Sequence, residues 1–449
     1  MASRLIAALA AQPHATPIAD PKEIKSKYRK WRIQTMYSMM IGYAIYYFLR
    51  KNFSMAMPVF LTELGYTKTD LGLILTLFSV VYGFSKFING VLADRSNPRY
   101  FMSIGLFFSA LVNIFFGFSS SLFAFGIFWL LNAWFQGMGW PPCARLLTHW
   151  YSPTELGTKW GLWNASHQLG GAGILVLAGW LIPAYGWRSA FFVPSAIAVC
   201  AALFLILTLR DTPQSLGLPP VEEYRGEASV KDEHEDTAES VKEILFRYVL
   251  TNRLIWLICV ANIFVYIVRI GVLDWAPTFL YEQKQCSMLN AGIITAISEA
   301  MGIAGAIAAG WISDVVFKGR RGPANVIFML LLIMAIFGLW RVPPGHQVLT
   351  TIYLIAVKFF VYGPQMLVGV AVADLASKKA SSTATGLAGT FGYIGSALCG
   401  VGTGVVVDKW GWDGGFIFFI AAAVIGTFLF LFTWGYRSAA LENIHNNRK

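Results

Sequence analysis

Two arginines interrupt long apolar stretches of this sequence. Arg50 lies in Tyr43–Phe53, which runs Tyr-Ala-Ile-Tyr-Tyr-Phe-Leu-Arg-Lys-Asn-Phe, and Arg269 lies among similar residues in Phe264–Trp275. An arginine near a bilayer centre costs about 2.5–3.5 kcal/mol on insertion scales, so such residues usually face a water-filled cavity and carry function. The planar fork of arginine donates two parallel hydrogen bonds and stays charged when dehydrated. The pair therefore predicts a clamp for an anion.

The composition predicts the elements that must carry these arginines. The chain has 449 residues, of which 56% are hydrophobic and only 13% are charged, with 34 Phe and 16 Trp. Such a composition indicates a polytopic, all-α membrane protein. Windows of about 20 apolar residues predict twelve transmembrane helices. They lie near 33–61, 70–93, 99–118, 121–149, 156–184, 187–209, 254–281, 288–313, 324–342, 347–374, 381–407 and 413–436.

A hydrophilic stretch from Asp211 to Lys242 divides these helices into two sets of six. The domain prediction is an N-terminal tail over 1–32, a six-helix bundle over 33–209, a linker over 210–253, a second six-helix bundle over 254–436 and a C-terminal tail over 437–449. The apolar run near residues 5–11 is too short for a signal-peptide core with a convincing cleavage site, so the first tail is expected to stay in the cytoplasm.

The two halves repeat one another. Arg50 and Arg269 are 219 residues apart, Gly90 and Gly310 are 220 apart, and Gly161-Leu162 and Gly386-Leu387 are 225 apart. A nearly constant offset indicates internal duplication. Twelve helices in two parallel six-helix repeats resemble the major facilitator arrangement.

The formal net charge of +11 is distributed unevenly along the chain. Lys and Arg cluster in the two tails, the linker and the loops on one side, while the opposite loops hold Lys68, Arg188, Lys284, Arg341 and Lys409. This asymmetry predicts that both termini are cytoplasmic, and it accounts for the basic charge without a nucleic-acid partner. The five cysteines show no paired or metal-ligand spacing and are interpreted as packing thiols.

The loops after spans 2 and 8 share a motif. The first reads Gly90-Val-Leu-Ala-Asp94-Arg95-Ser-Asn-Pro-Arg99, and the second reads Gly310-Trp-Ile-Ser-Asp314 with basic residues behind it. Both resemble the major facilitator signature, in which an acid and a base tie neighbouring helices on the cytoplasmic side. The resemblance implies a gating role for Asp94, Arg95 and Asp314. A basic loop that only sets topology would explain the arginines but not the matching aspartates.

Longer motifs resemble one family, the organophosphate:phosphate antiporters, over about residues 25 to 435. They are Tyr47-Phe-Leu-Arg50-Lys-Asn-Phe, Tyr82-Gly-Phe-Ser-Lys86-Phe, Trp163-Asn-Ala-Ser-His167-Gln-Leu-Gly-Gly, Tyr266-Ile-Val-Arg269-Ile-Gly-Val-Leu-Asp-Trp and Phe360-Val-Tyr362-Gly-Pro-Gln-Met-Leu-Val-Gly. The family includes bacterial glycerol-phosphate and hexose-phosphate carriers and a hexose-phosphate sensor. Several segments look most like the sensor and hexose-phosphate branch, whereas Lys409-Trp-Gly-Trp-Asp-Gly-Gly-Phe looks more like the glycerol-phosphate carrier.

Further residues are candidates for the phosphate site. Lys86 shares a helical face with Tyr82 and Gly90, and lining a cavity suits it better than snorkelling to the interface. The resemblance places His167 at the substrate site, and an imidazole with an ordinary pKa near 6.5 overlaps the second pKa of phosphate. The alternative is a hydrogen-bonded core histidine. Five tyrosines are candidate donors to phosphate or sugar hydroxyls, although each alone is more often a packing residue. They are Tyr43, Tyr82, Tyr266, Tyr362 and Tyr393.

Two further charged pairs stand out. Lys51 and Asp274 lie just outward of the two arginines and are predicted to pair as a gate. Lys358 and Glu299 fit either a polar packing contact or cavity lining. Hexose-phosphate carriers tend to have an Asp and a Lys near the start of span 11, where this chain has Thr385 and Ala388. That departure leaves the substrate open.

The sequence predicts a carrier and no enzyme, metal or cofactor, because no phosphate-cradling loop, metal cluster or nucleophile with its base is visible. We expect exchange of a sugar phosphate, most simply glucose 6-phosphate, for inorganic phosphate by a monomer in the bacterial inner membrane. One alternative is a membrane sensor of hexose phosphate that signals to a histidine kinase, and another is a glycerol 3-phosphate carrier. A proton-driven sugar or drug carrier fits less well, because few carboxylates occur in the spans.

Overall fold

The computed structural model describes residues 10–94, 96–226, 250–376 and 381–436, and nearly all of them are helical. In chain order the helices are α1 Pro21–Glu63, α2 Lys68–Asp94, α3 Pro98–Phe118, α4 Leu122–Gln136, α5 Trp140–Trp150, α6 Pro153–Tyr185, α7 Ser189–Thr208, α8 Val221–Arg225, α9 Arg253–Lys284, α10 Met288–Trp311, α11 Arg321–Arg341, α12 Gln347–Leu375 and α13 Ser381–Leu431. A 3-10 turn covers Gln214–Leu216, and a π-helical turn, Ile312–Val316, extends α10.

Ten helical stretches within the described ranges are long and apolar enough to cross a membrane. One of them, Ala384–Leu431, covers most of predicted spans 11 and 12, which are divided at Gly411, whose φ of +66° breaks the helical geometry. The first predicted span lies in α1, which carries Arg50 and Lys51 and is not among the ten. The prediction of an all-α membrane protein is confirmed.

The predicted span 4, over 121–149, matches one apolar stretch, Leu122–Trp150, which the structure divides into two helices. Helix α4 ends at Gln136 and α5 begins at Trp140. Pro141 and Pro142 have no backbone N–H, so they cannot continue the hydrogen-bonding pattern of α4. Gly137 closes α4, and a Cβ there would lie 2.1 Å from Ser85 Oγ of α2. The break therefore allows the chain to approach α2 closely.

The described chain forms two compact units by its contacts. Unit 1 comprises Met1–Phe53 and Val81–Glu235, and unit 2 comprises Ser54–Val80 and Asp236–Lys449. Residues 54–80, which hold the end of α1 and the start of α2, thus belong with the second half of the chain. The predicted bundle boundaries, 33–209 and 254–436, stay a prediction.

In unit 1, the predicted N-terminal tail over 1–32 includes the start of the first long helix. Helix α1 begins at Pro21, inside the predicted tail, and its fully buried Tyr28 stacks on Tyr224 with 3.9 Å between ring centres. The Tyr28 hydroxyl donates a 2.5 Å hydrogen bond to the Pro219 carbonyl. The first part of the predicted linker therefore packs on α1 because it carries apolar side chains. Residues 227–249 lie outside the described ranges.

Unit 2 is built on close helix contacts. Helix α9 packs against α13, and α10 packs against α12. A Cβ at Gly395 would lie 2.2 Å from the Ile263 carbonyl oxygen, and one at Gly305 would lie 2.0 Å from that of Phe359. Only glycine permits these distances, as is common where membrane helices associate.

Candidate functional site

In unit 1, Arg50 lies half-buried on α1 between two tyrosine rings. Its guanidinium carbon is 4.4 Å from the ring centre of Tyr82 and 5.6 Å from that of Tyr47. An aromatic face attracts a guanidinium within about 6 Å, so these rings favour the charged side chain at this depth. Tyr82 was predicted as a site residue, whereas Tyr47 was not. The sequence signal for Tyr47 is its position three residues before Arg50 on the same helix.

Buried amides hold the part of α1 that carries Arg50. Asn132 Nδ2 donates to the Leu49 carbonyl at 2.8 Å, and Gln136 Nε2 donates to the Tyr46 carbonyl at 3.0 Å. Asn52 Nδ2 donates to Asn113 Oδ1 at 3.0 Å. Such bonds are directional, and leaving a buried amide without a partner is costly. These residues were missed from the sequence, although Asn and Gln inside apolar spans are the signal that would have found them.

The other candidates of unit 1 divide into two groups. His167 lies beside Tyr47, with 5.5 Å between the ring centres, so the structure places it next to a ring that contacts Arg50. Tyr43 packs against Tyr47 at 5.7 Å and continues the same aromatic row. Lys86 instead lies over Trp140 of α5, with its Nζ 4.5 Å from the ring centre.

In unit 2, Arg269 on α9 has a similar aromatic setting. Its guanidinium carbon is 5.3 Å from the ring centre of Tyr266 and 5.2 Å from that of Tyr362. Glycines make room for both rings. A Cβ at Gly302 would lie 2.5 Å from the Tyr362 ring, and one at Gly392 would lie 2.9 Å from the Tyr266 ring. Tyr393, also predicted to line the site, is half-buried on α13, and its role stays a prediction.

Tyr362 contacts a buried ion pair, whose two members could not be paired from the sequence. Lys358 Nζ is 2.5 Å from Glu299 Oε1, and both side chains are almost completely buried, with exposures of 0% and 5%. The Tyr362 hydroxyl donates a 2.7 Å hydrogen bond to Glu299 Oε2. The Arg269 side chain hydrogen-bonds to the same hydroxyl. Of the two interpretations of Lys358 and Glu299, a contact with each other is therefore the observed one.

The predicted gating residues have different surroundings. Asp274 of unit 2 is buried and accepts a 3.4 Å hydrogen bond from Ser54 Oγ, while Lys51 is a buried residue of unit 1. Their predicted pairing stays a prediction. Arg321 forms ion pairs with Asp314 and, at 3.1 Å, with Asp374.

The corresponding loop of unit 1 can be described only in part. Helix α2 ends at Asp94, whose side chain is not described, and Arg95 lies outside the described ranges. In the parts of the chain that the structure describes, no group of three or more His, Cys, Asp or Glu side chains could hold a metal ion.

Comparisons with known proteins identify the family. Residues 39–399 match the Major Facilitator Superfamily. The chain is 48% identical over 432 residues to the "Probable hexose phosphate transport protein" of Chlamydia pneumoniae, covering 94% of this chain and 95% of the relative. It is 46% identical to the "Glycerol-3-phosphate transporter" of Bacillus subtilis, with coverages of 94% and 96%. It is 42% identical to the "Membrane sensor protein UhpC" of Escherichia coli K12, with coverages of 94% and 97%.

The fold agrees with that relationship. A crystal structure of a bacterial homologue of the human lysosomal transporter Spinster matches with a TM-score of 0.75 at 16% identity, covering 90% of this chain and 97% of that one. At this identity the match supports the fold alone, and the predicted major facilitator fold is confirmed. This chain belongs to the Major Facilitator Superfamily, and its relatives place it in the organophosphate:phosphate antiporter branch.

Proposed function

We propose that this protein is an antiporter that exchanges a sugar phosphate for inorganic phosphate by alternating access. The preferred substrate is a hexose 6-phosphate such as glucose 6-phosphate. One observation carries the proposal. Each unit holds an arginine inside an apolar helix, within about 6 Å of two tyrosine rings. The similarity to a probable hexose phosphate transport protein, at 48% identity, supports the choice of substrate class.

The chemistry of the arginines fits a phosphate monoester. Such a group carries about −1.5 to −2 charges at neutral pH and presents three strong acceptor oxygens. In the proposal, Arg50 and Arg269 both bind the phosphate group, Lys86 and His167 add positive charge, and the tyrosines donate to phosphate or sugar hydroxyls. Lys51, Asp274 and the cytoplasmic acidic motifs act in gating.

Exchange follows from the same charges. Buried cations are costly without a counterion, so the empty carrier should change conformation slowly. A bound phosphate group removes that cost on either side of the membrane, and the return step then needs a second anion. We place the protein in a bacterial inner membrane with both termini in the cytoplasm, and we propose that a monomer is sufficient, without a metal or an organic cofactor.

The test is counterflow in liposomes that contain the purified protein. Vesicles loaded with inorganic phosphate should take up labelled glucose 6-phosphate, and vesicles without internal phosphate should take up little. The Arg50→Ala, Arg269→Ala double variant is the matched control, because it removes both arginines, and its melting temperature checks that it folds. Uptake that is independent of internal phosphate would contradict exchange.

Two other functions use the same arginines. The 42% identity to a membrane sensor protein, together with Thr385 and Ala388 at the start of span 11, favours a receptor for hexose phosphate that signals to a kinase. Tight binding of glucose 6-phosphate without counterflow would support that function. The 46% identity to a glycerol-3-phosphate transporter favours the three-carbon substrate, and faster exchange of glycerol 3-phosphate would establish it.

A further inference from the structure

The buried network of unit 2 raises a question of charge. Glu299 on α10 and Lys358 on α12 are 2.5 Å apart, and Tyr362 joins Glu299 to Arg269 through its hydroxyl. Glu299 is thus one hydrogen-bonding side chain away from an arginine proposed to bind an anion. A buried carboxylate at that place opposes anion binding unless another cation balances it, because charges interact strongly where water is excluded.

Lys358 is placed to provide that balance. Its side chain is fully buried, so its ammonium has lost the solvent that would otherwise screen it, and its close partner is Glu299 Oε1. The Tyr362 hydroxyl donates a hydrogen bond to the other oxygen of Glu299, Oε2. Oε1 of Glu299 therefore faces a cation, and Oε2 accepts a hydrogen bond from a hydroxyl group. Gly302 makes room for the Tyr362 ring, since a Cβ there would lie 2.5 Å from that ring.

We propose that Lys358 is a positioning residue: by pairing with Glu299 it prevents that carboxylate from neutralising Arg269, so that the charge of Arg269 is directed to the phosphate group. This inference rests on the proposed function. Lys358 acts through Glu299 and Tyr362 and does not touch the substrate. The pair also explains how unit 2 keeps a carboxylate near its arginine without losing affinity for an anion.

The experiment is a double-mutant cycle on purified protein in liposomes, with exchange of internal for labelled external inorganic phosphate. The wild-type protein must first exchange phosphate. If it does not, the proposed function is wrong, and the role of Lys358 that rests on it is wrong as well. Lys358→Gln should raise the KM for phosphate at least tenfold with a smaller change in kcat, because Glu299 then opposes the anion. Glu299→Gln with Lys358→Gln should return the KM to within threefold of wild type, because both charges are gone.

Three results would overturn the role of Lys358. A folded Lys358→Gln protein with a wild-type KM would mean that the pair only stabilises the fold. A folded double variant with a KM still tenfold higher would mean that Lys358 itself binds phosphate. Failure of the charge-preserving Lys358→Arg to keep the KM within threefold would mean that shape and not charge is required. Thermal melting of each variant separates loss of stability from loss of affinity.

Lys358→Gln alone leaves a buried carboxylate without its cation and is the variant most prone to misfold. If it does not fold, the role of Lys358 is tested by comparing the KM for phosphate of Glu299→Gln with that of the double variant. Glu299→Gln leaves the Lys358 charge unbalanced and should lower the KM for phosphate at least threefold. The double variant should bring it back to within threefold of wild type. Equal KM values in these two proteins would overturn the proposal.

Discussion

Arg50 and Arg269 occupy matching positions in the two repeats, yet their surroundings differ in charge. Each guanidinium lies near two tyrosine rings, Tyr47 and Tyr82 in unit 1 and Tyr266 and Tyr362 in unit 2. The apolar spans of unit 1 contain no Asp or Glu. In unit 2, by contrast, Glu299 is joined to Arg269 through Tyr362.

The difference shows which part of the duplicated site the two halves share. The arginine and its two tyrosine rings occur in both halves, and an aromatic face attracts a guanidinium within about 6 Å. The carboxylate occurs in one half only, and a lysine accompanies it. In the proposed function, Lys86 and His167 of unit 1 add positive charge, whereas unit 2 adds the ion pair of Glu299 and Lys358. The two halves should therefore respond differently to substitutions beyond the arginines.

The largest expected effect is common to both halves. Arg50→Lys and Arg269→Lys should each lower kcat/KM for phosphate exchange at least about tenfold, because the lysine point charge lacks the planar fork of arginine. The alanine variants remove the charge as well, so they should cost several kcal/mol of transition-state binding. Exchange assays in liposomes measure this. Arg188→Lys is the control, since Arg188 contacts Ser120 and Trp187 at an exposed helix start. Near wild-type exchange in either lysine variant would show that its arginine does not bind the phosphate group.

A second prediction concerns the ring that joins Arg269 to Glu299. Gly302→Ala would place a Cβ 2.5 Å from the Tyr362 ring, so the ring must move or the helices must separate, at a cost of about 1–3 kcal/mol. We expect the KM for phosphate to rise about tenfold and the melting temperature to fall. Gly369→Ala on α12 is the matched control, because nothing lies within 4 Å of a Cβ there. If both variants bind phosphate equally well, the position of Tyr362 does not matter for affinity.

A third prediction tests whether unit 1 contributes charge through His167. If the protonated ring donates to phosphate, wild type should lose affinity as pH rises from 5.5 to 8, and His167→Gln should lose less. The substrate titrates in the same range, so only the difference between the two proteins is informative. Binding of labelled phosphate to purified protein measures it. Parallel curves would mean that His167, beside Tyr47, has a structural role.

Much of this organisation could be predicted from the sequence because it depends on local features. Apolar windows predicted the helical spans, and the offset of 219 between Arg50 and Arg269 predicted the repeat. The break in span 4 was missed because hydropathy does not register that Pro141 and Pro142 end the hydrogen-bonding pattern. The start of α1 at Pro21 was missed because the many charged residues around Tyr28 lower the local hydropathy, although Tyr28 itself is buried.

The site was harder to predict, since its geometry depends on distant residues. The pairing of Glu299 with Lys358 joins residues on two helices 59 positions apart, and neither sequence neighbourhood indicates the partner. The hydrogen bond to the Leu49 carbonyl was equally hard to predict, because its donor, Asn132, lies on a different helix, α4. An apolar pattern shows that a polar residue is buried, but it does not show which group satisfies it.

The smallest expected effect lies at a carboxylate of unit 1 outside the apolar spans. Glu155 contacts Arg32 and, at 2.7 Å, Arg225. Burial raises the pKa of Glu155, but the two guanidinium groups outweigh it and hold that pKa below its ordinary value. A depressed pKa contributes stability above the ordinary value, about 4.3, and the contribution disappears as pH falls through the folded value. Glu155→Gln should therefore cost about 0.5–1 kcal/mol at pH 7, and progressively less as pH falls below the ordinary pKa of Glu, as measured by thermal melting in detergent. The described ion pairs of Glu155 are with Arg32 and Arg225 and not with Arg50, so the KM for phosphate should stay unchanged. Lys358→Gln, which removes the partner of Glu299, should instead raise it. An equal rise in KM from both changes would remove the distinction between a carboxylate that stabilises the fold and one that tunes the site.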